Sequence, residues 1–262
     1  MEEKKGRLWL LPNVLCAEGQ LEAVLPAAAL ARIKTLRRFV VEGDRAAWRL
    51  LARIMDRAEL DAVTMERLDE HTRPQDVAAL LSPALAGEDL GLLSEAGLPC
   101  IADPGGALVA AAHAACIEVK PIVGPSSLLL ALSASGLDGQ RFTFLGYLPQ
   151  DRGQRRNALI SIERGVKLDG GTRLFIETPY RNDRLLEDCL GVLSPDTRLC
   201  VAASLSSESE IVRSMTVAEW RARKPVIGKV PAVFLVGRVP GTGLGPDRAK
   251  AVGERPGKGK RR

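Results

Sequence analysis

Short apolar runs alternate with amphipathic stretches along most of the chain. The apolar runs have the length of buried strands, and the stretches between them repeat apolar residues at helical spacing. The predicted strands are residues 7–11, 36–42, 89–93, 118–123, 142–145, 172–176, 198–203 and 232–236. The predicted helices are residues 21–33, 45–55, 75–85, 107–115, 126–134, 154–162 and 183–193. This alternation predicts an α/β fold built on a mostly parallel sheet.

The length of 262 residues favours two compact domains. A seam with two glycines and polar neighbours lies at residues 136–140, between complete strand and helix units. We therefore predict an N-terminal α/β domain at 1–138 and a C-terminal α/β domain at 139–240. Residues 241–262 lack a periodic apolar pattern and are predicted to be a basic, disordered tail.

The net charge of +5 is concentrated in that tail. Between Asp247 and Arg262 there are seven Lys and Arg residues and two acidic residues, so the rest of the chain is formally neutral. Such a tail can bind phosphates without sequence preference, or it can serve solubility alone.

Several classes of protein are disfavoured. No apolar stretch approaches the roughly 20 residues of a membrane helix, and the N-terminus lacks an apolar signal segment, which favours a cytoplasmic protein without membrane contact. Five scattered cysteines and two histidines lack metal-ligand spacing, so no metal site is expected. The glycines at 241–245 precede a proline and the tail, and no glycine-rich fingerprint follows the first strand, which argues against a dinucleotide-binding domain.

The most specific segment is residues 91–106. An apolar run that suits a buried strand ends at Leu93, and small residues follow at 94–97. Asp103 has the pattern of an N-cap and Pro104 that of a first helical residue, which opens the helical segment 107–115. A strand, a loop and a helix N-terminus in this order predict a binding crevice at the carboxyl edge of an α/β sheet. The turn at residues 124–127 follows the next strand and enters the next helix in the same way.

Together with residues 141–158 and 174–181, these segments resemble the tetrapyrrole methylase superfamily of S-adenosylmethionine-dependent methyltransferases. Within it the chain is most similar to the RsmI-like branch, which methylates a ribose 2′-hydroxyl of 16S ribosomal RNA. The resemblance implies two α/β domains with the cofactor in a cleft between them, a homodimer and an RNA partner from the small ribosomal subunit. It implies these cofactor contacts: Ser94, Glu95, Ala96, Gly97, Ile101, Ala102, Asp103, Ser126, Ser127, Glu177, Ala202, Ala203, Pro231 and Ala232.

Catalytic candidates follow the second predicted strand. A ribose hydroxyl has a high pKa and benefits from a base, for which Glu42, Asp44 and Glu95 are candidates, with Arg45 orienting a phosphate. Asp44 as a helix cap and Glu95 as a loop ion pair are the alternatives. Arg152, Arg155 and Arg156 are the candidate phosphate contacts of the substrate, with Lys167 and Arg173 beside them and Tyr147 and Tyr180 available for base stacking. The alternative is that these charges form an ordinary solvated helix face.

Three segments depart from the RNA branch. A Gly-Asn-Leu element after the first strand is absent, Gly43 interrupts a Glu-Asp-Thr-Arg element, and residues 203–207 replace Arg-Glu-Leu-Thr-Lys. The alternatives to an RNA methyltransferase are therefore an enzyme of the same fold with a small-molecule or tetrapyrrole-like acceptor, and a cofactor-binding protein without catalysis.

Overall fold

The computed structural model describes residues 4–223 and 225–241. The predicted tail lies outside these residues, apart from Gly241. The strands are β1 (Arg7–Leu11), β2 (Arg38–Val41), β3 (Thr64–Arg67), β4 (Leu90–Leu93), β5 (Glu118–Pro121), β6 (Phe142–Tyr147), β7 (Thr172–Glu177), β8 (Arg198–Ala203), β9 (Ile211–Thr216) and β10 (Ala232–Gly237). The α-helices are α1 (Ala27–Thr35), α2 (Asp44–Leu51), α3 (Arg57–Asp61), α4 (Pro74–Val77), α5 (Ser82–Leu85), α6 (Gly105–Ala114), α7 (Ser127–Ser135), α8 (Arg152–Asp169), α9 (Asn182–Val192) and α10 (Val217–Arg223).

The described strands form two five-stranded sheets, and all eight predicted strands are confirmed. The first sheet has the order β3-β2-β4-β1-β5, and each of its pairs is parallel. The second has the order β6-β7-β10-β8-β9, with β6 and β7 parallel but β7 and β10 antiparallel. The first sheet is parallel as predicted, whereas the second contains an antiparallel pair.

The two strands that the hydrophobic pattern missed, β3 and β9, are both edge strands. An edge strand is covered on fewer sides than a central one and needs no continuous apolar run. β3 reads Thr-Met-Glu-Arg and has no fully buried residue, so its sequence carries no strand signal.

Side chains of the first sheet alternate between two hydrophobic clusters, one on each face. Trp9, Phe39 and Leu93 pack with α1 and α2, whereas Leu8, Val40 and Leu92 pack with the helices from α4 to α6. Since successive strand residues point to opposite faces, this sheet is covered by helices on both sides.

The described chain forms two compact units. The first consists of the described residues up to Ala131 with Ala202–Ile211, and the second of Leu132–Val201 with the described residues from Val212 onward. In the second unit the rings of Phe175 and Phe234 stack with centroids 5.7 Å apart on neighbouring strands. The division after residue 138 that the sequence suggests stays a prediction.

Two predicted helices are broken in the structure. The segment 21–33 begins as a 3-10 turn at Leu21–Ala23 and becomes helical only after Pro26, at α1. The segment 75–85 is a series of short turns, α4, a 3-10 turn at Ala78–Leu81 and α5, with prolines in the first turns of α4 and α5. Pro26 and Pro83 lie inside the predicted segments, and proline lacks the N–H that a continuous helix would need there.

Candidate functional site

The carboxyl ends of β1, β2 and β4 meet at one edge of the first sheet. The three strands are parallel neighbours, and Leu93 is in register with both Leu11 and Val41. The segments that follow them, at Asn13, Glu42 and Ser94, therefore lie side by side. This is the edge at which open α/β sheets bind their ligands.

Asn13 fixes the loop after β4. Its side chain is buried, and its Nδ2 donates to the backbone oxygens of Ser94 and Glu95, both at 3.0 Å. The backbones of Asn13 and Gly97 exchange hydrogen bonds in both directions, at 2.8 and 3.2 Å. The sequence did not reveal this role, because the partners of Asn13 are more than 80 positions away along the chain.

A second tether comes from Glu42. Its Oε2 accepts a hydrogen bond of 3.0 Å from the backbone N–H of Glu95. Burial raises the pKa of the Glu42 carboxyl, and the nearby carboxylates of Asp103 and Glu95 raise it further, although the hydrogen bond from Glu95 opposes them. Glu42 is therefore a stronger base than an ordinary surface glutamate.

The loop from Cys100 to Pro104 has a strained backbone. Cys100 and Ala102 adopt positive φ angles of 70° and 64°, which L-residues disfavour. Asp103 stabilises this conformation, since its Oδ1 accepts from the backbone N–H groups of Cys100 and Gly105 at 2.9 and 2.7 Å. Strain of this kind concentrates at ligand sites.

The predicted helix start after this loop is shifted by one residue. Pro104 is the N-cap and Gly105 the first helical residue of α6, whereas the sequence placed Asp103 at the cap. The carboxylate of Asp103 still satisfies the first helical N–H. Its Oδ2 is buried and has no hydrogen-bond partner in the described part of the chain.

Two cavities border the loop after β4. One, of about 540 Å³, is lined by Ala102, Pro104, Arg67, His71 and the carboxylates of Glu42, Asp69, Glu70, Glu95 and Asp103. The other, of about 80 Å³, lies among Asn13, Val14, Leu15, Ala17, Ala46, Arg49, Leu50, Arg53, Glu95 and Ala96. The larger cavity is acidic and favours a cationic group over a phosphate.

The structure brings the turn at Gly124 close to the loop after β4, as the sequence suggested. A Cβ on Gly124 would lie 2.0 Å from Cβ of Pro12 and 3.4 Å from Leu98, so only glycine fits there. Ser126 and Ser127 follow this turn, half-buried, where α7 begins. Asp44 and Arg45 begin α2 and are exposed, and Asp44 makes no side-chain cap.

Of the predicted site residues on the second sheet, Glu177, Pro231 and Ala232 belong to the second unit, whereas Ala202 and Ala203 belong to the first. Glu177 is buried at the end of β7, where its Oε1 accepts from the backbone of Thr178 at 2.6 Å and from Arg181 at 2.6 and 3.0 Å. Ala232 pairs with Glu177 in the sheet, and Pro231 precedes it. Ala202 and Ala203 are buried at the end of β8.

Asn182 and Asp183, which the sequence did not single out, fasten the segment before Pro231. Nδ2 of Asn182 donates to the backbone oxygens of Gly228 and Val230, and Oδ1 of Asp183 accepts from the N–H of Ile227 at 2.7 Å. This segment places Nζ of Lys229 5.4 Å from the ring centroid of Tyr180, which is 81% exposed.

The predicted phosphate contacts on α8 need correction. Arg155 is buried and gives two hydrogen bonds to Asp188, at 2.6 and 2.8 Å, and two more to backbone oxygens. The prediction that Arg155 faces an RNA backbone is therefore wrong, because its guanidinium is buried and already hydrogen-bonded within the second unit. Arg152 is exposed but also pairs with Asp188, and Arg156 is half-buried.

Several solved structures of methyltransferases have a similar fold. The methyltransferase CobJ matches with a TM-score of 0.58 and 18% identity, over 89% of this chain and 94% of its own. The uroporphyrin-III-C-methyltransferase from Thermus thermophilus matches with a TM-score of 0.51 and 21% identity, over 89% and 93%. The predicted fold class is confirmed. The family model described as Tetrapyrrole (Corrin/Porphyrin) Methylases matches residues 22–220, and the chain belongs to this family.

Curated relatives share one description, "Ribosomal RNA small subunit methyltransferase I". The protein from Escherichia coli O157:H7 is 32% identical over 84% of this chain and 73% of its own length. The protein from Vibrio cholerae is 34% identical over 64% of this chain, and the alignment spans 58% of the relative. The chain thus spans little more than half the length of some of the relatives it matches. In the described residues, no helix is long and apolar enough to cross a membrane.

Proposed function

We propose that this protein is an S-adenosylmethionine-dependent methyltransferase whose acceptor is a ribose 2′-hydroxyl of small-subunit ribosomal RNA. The curated relatives support both the reaction and the substrate. The observation that carries the proposal is the hydrogen bond from Glu95 to Glu42, which holds a carboxylate with a raised pKa against the loop that the family resemblance assigns to the donor.

The residues around this loop fit the proposed donor. S-adenosylmethionine supplies a methyl group on a positively charged sulfonium, and it also carries an ammonium group. The acidic cavity beside Ala102 and Asp103 suits these positive charges, and the unpartnered Oδ2 of Asp103 is a free acceptor. Ser94, Ala96, Gly97, Ser126 and Ser127 are small residues at the same edge; Ala96 is exposed, Ser126 and Ser127 are half-buried, and Ser94 and Gly97 are buried.

Glu42 is the proposed base. Methyl transfer would form an O–C bond to the acceptor, break the S–CH3 bond of the donor with its electron pair left on sulfur, and release the hydroxyl proton, which must pass to a base. One oxygen of Glu42 is occupied by the Glu95 N–H, which fixes the carboxylate and leaves Oε1 free for the hydroxyl. Its raised pKa makes it a stronger base than an ordinary glutamate. Asp44 and Arg45 begin the adjacent helix and stay candidate contacts of the acceptor.

The remaining family positions are proposed to contact the donor and the RNA. The proposed adenosine contacts are Glu177, Ala202, Ala203, Pro231 and Ala232. Ile101 is a proposed donor contact beside Ala102. Arg152, Arg156 and Tyr180 are the proposed RNA contacts in the second unit. Tyr180 has the exposure that base stacking needs.

Tritium-labelled methyl transfer tests the proposal. Ribosomal subunits and total RNA from a strain that lacks this protein are incubated with the protein and labelled S-adenosylmethionine, and the labelled nucleotide is mapped. We expect the label on a ribose of small-subunit RNA. We also expect Glu42→Gln to abolish most of the label. Label on a small molecule with none on RNA would favour the alternative acceptor, and no label with intact donor binding by calorimetry would favour a binding protein.

We also propose that the protein is a homodimer located in the cytoplasm. Phe142, Leu145 and Tyr147 are exposed on β6, an edge strand of the second sheet, and an exposed apolar edge favours association. Light scattering coupled to gel filtration measures the mass. A monomer at micromolar concentration would contradict the dimer.

A further inference from the structure

One face of α2 carries a large aromatic side chain between two arginines. Ala47, Leu50 and Leu51 are buried against the sheet, whereas Arg45 and Arg49 are exposed and Trp48 is 43% exposed. Residues three and four apart share one side of a helix, so these exposed side chains form one surface. We call Arg45, Trp48 and Arg49 the α2 face.

The two arginines differ from the other arginines of the first unit. From Arg7 to Arg73 in the described chain, every other arginine has an acidic or carbonyl partner, but Arg45 and Arg49 have neither an ion pair nor a hydrogen bond. Like charges at this spacing repel and destabilise a helix by a few tenths of a kcal/mol. The stability of α2 therefore does not explain why two arginines, Arg45 and Arg49, lie on this face.

Trp48 is unusual in the same way. Trp9 is 8% exposed and Trp220 is 1% exposed, and the indole nitrogens of both donate hydrogen bonds, to Asp89 and to Leu199. Trp48 has much of its ring in solvent and no such bond. An exposed aromatic flanked by cations matches the surfaces that stack nucleobases and hold the adjoining phosphates.

The α2 face continues into the candidate site. Ala46 and Arg49 of α2 line the 80 Å³ cavity together with Glu95 and Ala96 from the loop after β4. The larger cavity, which Glu42 lines, is acidic and repels phosphate. The small cavity has Arg49 and Arg53 beside a single carboxylate, Glu95, so of the two cavities the one beside α2 suits a polyanion.

We propose that the α2 face binds a single-stranded segment of the acceptor RNA, with a base stacked on Trp48 and the phosphates beside it bound by Arg45 and Arg49. This inference rests on the proposed function, because it names the surface through which the RNA reaches Glu42. Stacking and backbone contact fix the position of the strand, and they tolerate many base sequences.

Tryptophan fluorescence reports directly on this surface. Because the other two tryptophans are buried, a single-stranded RNA of about 12 nucleotides should quench the emission of Trp48 alone. Quenching should be absent in Trp48→Phe, which keeps a ring for stacking. Affinity measured by anisotropy of a labelled RNA should fall about 10-fold or more in Trp48→Ala and much less in Trp48→Phe.

The arginines are tested by salt dependence. A single-stranded phosphate contact adds about 0.7 to the slope of log affinity against log salt, so Arg45→Ala/Arg49→Ala should lower the slope by about 1.4. The matched control, Arg57→Ala/Arg73→Ala, removes two exposed, ion-paired arginines of the same unit and should leave the slope nearly unchanged. Donor binding by calorimetry should be equal in all variants.

RNA binding and methyl transfer, measured together, distinguish a failure of the α2 face as the RNA-binding surface from a failure of the proposed function. If the wild-type protein methylates RNA but the α2 variants bind and methylate it normally, the inference is overturned and the proposed function stands. If the wild-type protein binds RNA through the α2 face but transfers no methyl group, the proposed function fails instead. A change in oligomeric mass in Trp48→Ala, with unaltered RNA affinity, would overturn the inference and assign the face to a second copy of the chain.

Discussion

The Oε2 atom of Glu42 accepts a hydrogen bond of 3.0 Å from the backbone N–H of Glu95. This bond ties the end of β2 to the loop after β4, the two segments that the proposed base and the proposed donor loop come from. It couples the position of the base to the shape of the loop. A change at either residue is therefore expected to affect both acceptor chemistry and donor binding.

Glu42→Gln should separate activity from stability. Loss of the base lowers the rate of methyl transfer by about 100-fold or more, whereas the amide oxygen can still accept from Glu95. Because the pKa of Glu42 is raised in the folded protein, its ionised form is disfavoured there, and a neutral glutamine side chain at this position should raise the melting temperature at neutral pH. Calorimetric melting and methyl-transfer rates check the two effects.

The stabilising effect of Glu42→Gln should depend on pH. With the folded pKa above the ordinary value of 4.5, the stability contributed by the proton on Glu42 is complete below that value and is lost as pH rises through the folded pKa. The melting temperatures of wild type and Glu42→Gln should therefore diverge as pH rises above 4.5. Glu66→Gln, at an exposed position on β3, is the control and should show no divergence. Equal curves for Glu42→Gln and wild type would rule out the raised pKa.

Because Gly43 has no side chain, the carboxylate of Glu95 can lie beside it. A Cβ at residue 43 would lie 2.4 Å from Oε1 of Glu95 and 3.3 Å from its Cγ and Cδ, so Gly43→Ala should displace that side chain. Because Glu95 is exposed and flexible, we expect a small loss of stability but weaker donor binding. In a Glu95→Ala background the same substitution should have little effect, giving a coupling of about 0.5–3 kcal/mol in donor binding by calorimetry. Additive effects would contradict this contact.

The sequence predicts the features of this fold that depend on neighbouring residues. The strand, loop and helix from Leu90 to Ala114 follow from an apolar run, small residues and an aspartate beside a proline, all within 25 positions. The roles of Asn13 and Asp188 could not be predicted in this way, because each is defined by partners more than 30 positions away. A charged pattern on α8 is typical of a solvated face, and only the fold shows that Arg155 points inward.

The strained loop should become more stable when its strain is relieved. Ala102 has a φ of 64°, where glycine carries no Cβ penalty, so Ala102→Gly should raise the free energy of unfolding by about 0.5–1 kcal/mol. Asp103→Ala should do the opposite, by about 2–3 kcal/mol, because it removes the acceptor for Cys100 and Gly105. Urea denaturation measures both. Destabilisation by Ala102→Gly would show that the loop is not strained at this residue.

Arg155 should stabilise the second unit and contribute nothing to RNA binding. Arg155→Met leaves Asp188 buried with only the weaker partner Arg152, and we expect a loss of about 3–5 kcal/mol in the free energy of unfolding. Arg156→Met, on the same helix but half-buried, should cost less than about 1 kcal/mol by comparison with ordinary surface substitutions. Arg155→Met/Asp188→Leu should recover much of the lost stability, because it removes the uncompensated carboxylate. Urea midpoints give the stabilities, and RNA affinity is measured where each variant is folded. If Arg155→Met kept its stability but lost RNA affinity, its guanidinium would have to reach the RNA after all.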